Sequence, residues 1–125
     1  MFIDGRVVLV KRRNEPLAGQ WSLPGGAIEV GESLHDGLRR ELREEIGIET
    51  TVGPLVELFE RIMRDGEGRV RYHYVLADYL CHRVTGELRP ASDAEAVALA
   101  DPHDLSPYAL IGKVRTVIAR AAGLR

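Results

Sequence analysis

The sequence predicts a single α/β domain. A helix is indicated by apolar side chains that recur every fourth residue, at Leu34, Leu38, Leu42 and Ile46. Strands are indicated on both sides of it, by the apolar, mostly β-branched residues 7–10 and by residues 70–81, which are rich in Tyr, Val and Leu. The order of these elements is that of an α/β protein.

The composition is that of one folded domain. The chain has 125 residues, 45% hydrophobic and 29% charged, which is ordinary usage at this length. Its 17 Lys and Arg residues against 19 Asp and Glu residues give a net charge of -2, so no basic field indicates a nucleic-acid partner. The lone Cys81 cannot form an internal disulfide, and no stretch approaches the roughly 20 apolar residues of a membrane span. We therefore expect residues 1–125 to be one cytoplasmic domain without a membrane partner.

The N-terminal segment predicts two short strands and a glycine-rich turn. Asp-Gly at residues 4–5 supplies the positive φ angles of a tight turn between residues 1–3 and residues 7–10. The polar residues 11–20 predict a loop. Residues 21–26 predict a turn, and its two glycines allow the backbone to approach a ligand closely.

The helix is expected to begin after Ser33 and to end at Gly47. Ser33 can cap its amino end, with Asp36 three residues on, and Gly47 is a natural stop. Gly37 falls on the buried side, where glycine costs roughly 1 kcal/mol relative to alanine unless close packing against a strand requires it.

The second half of the chain predicts a hairpin, a loop and a final helix. Residues 50–59 indicate a strand entered through a Gly-Pro bend, residues 61–69 a charged connection, and residues 70–81 the best strand of the chain. Leu88 is expected to start a short return strand, and residues 90–95 a loop. Apolar residues at helical spacing indicate the last helix: Leu110, Val114, Val117, Ile118 and Ala121.

Three carboxylates share one face of the first predicted helix. Glu41, Glu44 and Glu45 are spaced i, i+3 and i+4, so we expect them to project away from the leucine stripe. Like charges at this spacing destabilise a helix, which a bound cation would offset. Carboxylate oxygens suit Mg²⁺ or Mn²⁺, and no Cys-His cluster indicates zinc. Taken alone, the pattern is explained better by a solvated charged face. Arg40 either orients a carboxylate or contacts an anionic substrate.

A longer pattern surrounds these carboxylates. Gly26 is followed after five residues by Glu32, after seven more by Arg40-Glu41-Leu42, then by Glu44-Glu45 and Gly47-Ile48. The segment from Gly26 to Ile48 resembles the signature of the Nudix hydrolases at every specified position. Residues 5–12 and 21–26 also resemble the segments that precede this signature in the family.

The resemblance implies a fold, an activity and a site. The fold is an α/β/α sandwich with a mixed β-sheet, and the activity is metal-dependent hydrolysis of the pyrophosphate linkage in a small nucleoside diphosphate derivative. The implied metal ligands are Gly26, through its carbonyl, and Glu41, Glu44 and Glu45. The implied catalytic residues are Glu41, Glu44 and Arg40, and either carboxylate suits the base that activates water. Glu32 and Gly47 are implied to stabilise the loop-helix-loop segment.

Residues outside the signature are candidates with ordinary alternatives. Many family members use a further acidic residue from a later loop, for which Asp93 and Glu95 are the candidates, although a plain surface loop explains both. Tyr72 and Tyr74 share one face of the best strand, where they could stack on a base or pack in the sheet. Arg64 is a candidate to contact the substrate's phosphates, and the alternative is that its side chain is simply solvated.

The resemblance leaves the substrate open. Subgroups that act on ADP-ribose or dinucleoside polyphosphates carry a proline or a tyrosine beyond the signature, and residues 61–66 hold neither. Nucleoside triphosphates, nucleotide sugars and ADP-ribose all stay candidates. The alternative to an enzyme is a Nudix-fold module that binds or senses a nucleotide, against which the three intact carboxylates argue. Family members usually have a longer first strand, and the unpaired edge expected here suggests a homodimer.

Overall fold

The structure is a computed structural model that describes residues 1–91 and 93–125. Six strands and two helices follow one another in the order β1 (Phe2–Ile3), β2 (Arg6–Arg12), β3 (Trp21–Ser22), α1 (Leu34–Ile46), β4 (Glu49–Arg64), β5 (Val70–Thr85), β6 (Ala94–Ala100) and α2 (Gly112–Gly123). A 3₁₀ turn at Ser106–Tyr108 precedes α2. No helix of the described residues is long and apolar enough to cross a membrane.

Strand β2 is the centre of a four-stranded sheet. It pairs with β1, β3 and β6, and β4 pairs with β5 in a separate two-stranded sheet. All these pairings between the described strands are antiparallel, whereas the resemblance implied a mixed sheet. The α/β class is as predicted.

The two faces of β2 pack against different helices. Val8 and Val10 lie in one core with residues of α1, and Val7 and Leu9 lie in another with residues of α2. Alternating side chains of a strand point to opposite faces, so all four are buried only because a helix covers each face. This is the helix-sheet-helix layering that the resemblance implied.

Both predicted termini of α1 are confirmed. The Ser33 Oγ accepts a hydrogen bond from the backbone N–H of Asp36 at 3.1 Å, which caps the amino end. Gly47 closes the carboxyl end with a φ of 74°, in the left-handed region that favours glycine.

Gly37 is buried as expected, but two details of α1 differ from the prediction. Leu34 is 50% exposed, so the buried stripe does not reach the first turn. Gly37 packs against the preceding loop and not against a strand, because a Cβ there would overlap Ile28 and lie 3.1 Å from Glu32 Oε1. The missing side chain therefore makes room for the loop that carries the glycine-rich turn.

The β4–β5 hairpin is longer than predicted. Residues 61–64 continue β4 and do not form a connection, so only residues 65–69 turn the chain. The predicted Gly-Pro bend lies inside β4, where the register shifts between Val52 and Leu55. A bulge lets the strand pass the proline without ending.

Other segments also differ from the prediction. Trp21–Ser22 forms strand β3 and not a turn, because it pairs with β2. In the described part of the chain no strand begins at Leu88. Strand β6 was not predicted, since four of its seven residues are alanine, which has no intrinsic strand preference. Its first two residues belong to the segment 90–95 that was expected to be a loop.

The two ends of the chain form as predicted. Asp4 and Gly5 have φ angles of 50° and 79° and join β1 to β2 in a tight turn. Helix α2 buries four of the five predicted apolar residues, and Leu110 is buried just before it. The homodimer expected from the short first strand stays a prediction.

Candidate active site

The glycine-rich turn lies directly against the carboxylates of α1. The backbone N–H of Gly25 donates to Glu45 Oε1 at 2.9 Å. A Cβ on Gly26 would overlap the carboxylate of Glu41. Glycine at position 26 is therefore required for the backbone and this carboxylate to approach each other.

Arg40 joins the loop before α1 to the helix. Its Nε and Nη2 donate to the two oxygens of Glu32 at 2.7 and 2.9 Å, which makes a bidentate ion pair. Its Nη1 donates to Glu41 Oε1 at 3.0 Å and to Glu44 Oε2 at 3.1 Å, and its Nη2 also donates to the carbonyl of Ala27. The hydrogen bonds from Arg40 lower the pKa of Glu32 to about 2.

Glu45 is buried, which corrects the expectation that it projects away from the leucine stripe. Its position three residues after Leu42 places it at the edge of the apolar stripe, and only 8% of the residue is exposed. Burial raises its pKa to about 7, and the nearby carboxylates of Glu41 and Asp93 add to the rise. The hydrogen bond from Gly25 opposes this rise by favouring the ionised form.

A pocket of about 270 Å³ opens beside Glu45. Its lining includes Glu41, Glu45, Asp93 and the turn at Gly25 and Gly26. Among the described residues, no three His, Cys, Asp or Glu side chains are gathered closely enough to form a ligand set by themselves. Backbone oxygens of the turn would thus have to complete any cation site built on these carboxylates.

Glu44 lies outside this pocket. Glu44 does not line it, and its side chain is 52% exposed while it accepts from Arg40. The structure therefore brings Gly26, Glu41 and Glu45 together and leaves Glu44 beside them on the surface of α1.

The two acidic candidates of the later loop lie in different places. Asp93 lines the pocket, and its Oδ1 accepts from the side-chain amide of Asn14 at 3.0 Å. Glu95 lies on β6, is exposed, and pairs with Lys11 at 3.8 Å. Asp93 is therefore the candidate that the structure brings to the carboxylates of α1.

A larger cavity of about 450 Å³ adjoins the first pocket. Arg12, Gly25, Gly26 and Ala27 line both spaces, so they are neighbours across the glycine-rich turn. Residues of the β4–β5 hairpin also line the larger cavity. One elongated molecule could thus occupy both.

Of the three candidate substrate-binding residues, Tyr74 alone lines one of the two spaces. The rings of Tyr72 and Tyr74 stack with centroids 5.7 Å apart, and Tyr74 lines the large cavity. Arg64 lines neither space; its Nη1 donates to the carbonyl of Gly68 in the hairpin turn at 3.0 Å. This hydrogen bond indicates that Arg64 stabilises the hairpin turn.

One residue of the large cavity was missed from the sequence. Asp78 lies on β5 and lines the cavity. The sequence does contain a signal for Asp78, because it is the one acidic residue in the otherwise apolar and aromatic segment of residues 74–81.

Comparison with known proteins identifies the family. The family model of the NUDIX domain matches residues 2–120. The chain belongs to the NUDIX family. The family model therefore extends the resemblance beyond the signature segment to nearly the whole chain.

Individual NUDIX relatives are similar over most or part of the chain. An ADP-ribose pyrophosphatase of Methanocaldococcus jannaschii is 31% identical over 106 residues, which are 85% of this chain and 60% of the relative. A CTP pyrophosphohydrolase of Escherichia coli is 46% identical over 59 residues, which are 46% of this chain and 44% of the relative. This chain thus spans about half the length of these curated relatives.

A solved structure agrees with the fold. The crystal structure of a MutT NUDIX hydrolase from Burkholderia pseudomallei matches with a TM-score of 0.77 at 30% identity, over 96% of this chain and 91% of that chain. The α/β sandwich expected of a NUDIX domain is thereby confirmed.

Proposed function

We propose that this NUDIX chain is a divalent-metal-dependent pyrophosphohydrolase that acts on a small nucleoside diphosphate derivative. The observation that carries the proposal is the approach of Glu41 and Glu45 to the Gly25-Gly26 turn beside one pocket. Burial and mutual repulsion disfavour the ionised form of Glu45, and a divalent cation in the pocket would favour it.

The oxygen atoms around this pocket suit a hard cation such as Mg²⁺ or Mn²⁺. The residues proposed to hold it are Gly26, through its carbonyl, with Glu41 and Glu45 at the pocket, and Glu44, which lies beside the pocket on α1. The fit is supported by the contact of Gly26 with Glu41, which any side chain at position 26 would block. Such an ion makes a bound water more acidic and neutralises charge on phosphate oxygens.

The remaining chemistry belongs to the side chains. Arg40 holds Glu41 and Glu44 by hydrogen bonds of 3.0 and 3.1 Å, so their carboxylates have fixed positions. One of these two carboxylates takes the proton of the attacking water while the pyrophosphate bridge breaks. Gly25 fixes Glu45 in the same way through its backbone N–H.

The candidate substrates are nucleoside triphosphates, ADP-ribose and nucleotide sugars. Two similar proteins bear the names of an ADP-ribose pyrophosphatase and a CTP pyrophosphohydrolase, and both names describe cleavage of a phosphoanhydride. The adjoining cavities have room for a phosphate chain at the carboxylates and for the rest of a nucleotide beyond them.

The test is release of nucleoside monophosphate from a panel of these substrates, first with Mg²⁺ and then with a chelator. We expect release from at least one class, and loss of release in the chelator. Glu41→Gln and Glu45→Gln should each reduce turnover by about 100-fold or more. Glu49→Gln is the matched control, because Glu49 is an ion-paired carboxylate just beyond α1.

Two results would count against the enzyme. Full turnover in the chelator would contradict the metal dependence. Unchanged turnover in both Glu41→Gln and Glu45→Gln would contradict the assignment of the site. Nucleotide binding without release from any substrate would favour the alternative of a binding or sensor module.

A further inference from the structure

One face of the β4–β5 hairpin forms a wall of the large cavity. Alternate residues of the two strands point toward it, and cross-strand partners such as Phe59 and Leu76 lie side by side. The cavity-lining residues of this face are Phe59, Arg61, Met63, Tyr74, Leu76 and Asp78. The other lining residues are mainly apolar and include Leu23, Ile28 and Leu38.

Asp78 is a carboxyl group without a donor in this setting. None of the hydrogen bonds or ion pairs among the described residues involves its side chain, although the side chain is partly buried. The opposite residue in the register, Glu57, turns instead to Lys113 and Arg120 of α2. A partly buried acceptor that lacks a donor is destabilising, and a ligand that brings an N–H group relieves this.

The charges around Asp78 are consistent with a carboxyl group that has no hydrogen-bond donor within the described residues. Burial raises the pKa of Asp78, and the neighbouring charge of Glu57 adds to the rise. Arg61, Lys113 and the amino group of Met1 oppose it from a distance, without forming an ion pair to Asp78 within the described residues. Arg61 lines the same wall, so a ligand would lie between two side chains of opposite charge.

The connection to the carboxylate pocket fixes which part of a nucleotide this cavity suits. Gly25, Gly26 and Ala27 separate the two spaces and line both. With the phosphates at Glu41 and Glu45, the part of the molecule that reaches the hairpin is the base. Ligand pockets commonly measure about 300–1,000 Å³, and this cavity falls in that range at about 450 Å³.

We propose that the large cavity receives the base of the nucleotide and that Asp78 selects bases which carry an exocyclic amino group. The inference rests on the proposed function, because that function places the phosphates. An amino group donates to the Asp78 carboxylate, whereas a carbonyl at the same position of the base brings a second acceptor against it. Apolar side chains such as Phe59 and Met63 contact the faces of the base and do not discriminate.

Two pairs of substrates differ in this group and, with it, in the adjacent ring nitrogen, which accepts in the amino member and donates in its partner. CTP and UTP differ by an amino or a carbonyl group at one ring position, and so do ATP and inosine triphosphate. We expect the kcat/KM of the amino member to exceed that of its partner by about tenfold or more, as for a hydrogen bond to a charged group. The same preference should appear in equilibrium binding of the corresponding monophosphates, CMP against UMP and AMP against IMP, with a chelator present.

The decisive variant is Asp78→Asn. Its amide both accepts and donates, so it suits either group, and the preference within each pair should fall to near unity. The matched control is Glu60→Gln, which alters a carboxylate on the exposed face of the same hairpin and should keep the preference. Thermal unfolding of both variants checks that the hairpin is intact.

The two proposals fail separately. Metal-dependent release with no preference in the wild type, or with a preference that Asp78→Asn leaves unchanged, overturns the role of Asp78 and keeps the enzyme. A preference in monophosphate binding that Asp78→Asn removes, without release from any substrate, supports the role of Asp78 and overturns the enzyme. Absence of both release and binding preference overturns both.

Discussion

The guanidinium of Arg40 contacts three carboxylates and a backbone carbonyl at once. It holds Glu32 with two nearly parallel hydrogen bonds and uses its remaining donor atoms for Glu41, Glu44 and Ala27. Only arginine has this number of donors in a fixed plane. Lysine would keep the positive charge but could not reproduce these hydrogen bonds.

Arg40→Lys should therefore lower turnover while keeping the charge. A single ammonium group cannot make the five hydrogen bonds, so Glu41 and Glu44 lose their fixed positions. We expect turnover to fall by about tenfold to 100-fold, as is typical when the residues that orient ligands are removed. Steady-state kinetics on the best substrate of the panel measures this.

The control for this prediction is Arg39→Lys. Arg39 is the preceding residue, is partly exposed, and pairs with Asp36 in the first turn of α1. Equal losses in the two variants would show that the effect belongs to the helix in general and not to Arg40.

Gly26→Ala tests the contact between the turn and Glu41. A Cβ at position 26 would overlap the Glu41 carboxylate, so either the turn or the side chain must move. Because misplaced catalytic groups lose activity faster than stability, we expect turnover to drop by about 100-fold. Gly66→Ala is the control, since a Cβ there meets no atom within 4 Å and the residue has no positive φ. A fully active Gly26→Ala would show that close approach is unnecessary.

At the scale of elements, the hairpin and α2 are joined by one partly buried carboxylate. Glu57 Oε1 accepts from Lys113 at 2.7 Å and lies 3.3 Å from Arg120, and its Oε2 has no hydrogen-bond partner among the described residues. Lys113 also lies over the ring of Phe59, 5.0 Å from its centroid. These contacts position the wall of the large cavity against α2.

Glu57→Gln should lower the melting temperature in a pH-dependent way. The hydrogen bond from Lys113 lowers the pKa of Glu57 in the folded state, so the ionised form is bound more favourably there than in the unfolded chain. This stabilisation is present above the unfolded value of about 4.3 and disappears as the pH falls through the lower folded value. Tm measured from pH 7 downward should thus converge for wild type and variant. A constant difference at all pH values would contradict the assignment.

The same scale shows what the sequence could and could not predict. Helix α1 was predictable to the residue because Ser33 and Gly47 are local signals whose physics needs no other part of the chain. Strand β6 was not, because its alanines have no intrinsic strand preference and it forms through pairing with β2. Strand β3 likewise exists only as a partner of β2.

The candidate site divides in the same way. Gly26, Arg40 and the carboxylates were predictable because they lie in one contiguous pattern. The burial of Glu45 and the position of Asp78 were not, since both depend on which distant segments cover them. Asp93 and Glu95 could not be separated from the sequence, and the structure brings only Asp93 to the pocket.

At the scale of the whole molecule, the carboxylate pocket lies where several elements meet. Its lining comes from β2, the glycine-rich turn, α1 and the loop before β6, so its geometry exists only in the folded chain. A cation that binds there binds the folded state in preference to the unfolded state, and it must raise the free energy of unfolding.

Mg²⁺ should therefore raise the melting temperature of the wild type in the absence of any nucleotide. At about 100 times the dissociation constant, the gain is about 2.7 kcal/mol, which corresponds to several degrees for a domain of this size. Glu45→Gln should melt higher than wild type without Mg²⁺, because it removes the buried carboxylate whose ionisation is disfavoured, and it should gain much less on addition of the ion. Thermal unfolding across a Mg²⁺ titration measures both effects, with Glu49→Gln expected to respond like wild type. An equal gain in all three proteins would show that the ion acts on the folded chain at some place other than the pocket beside Glu45.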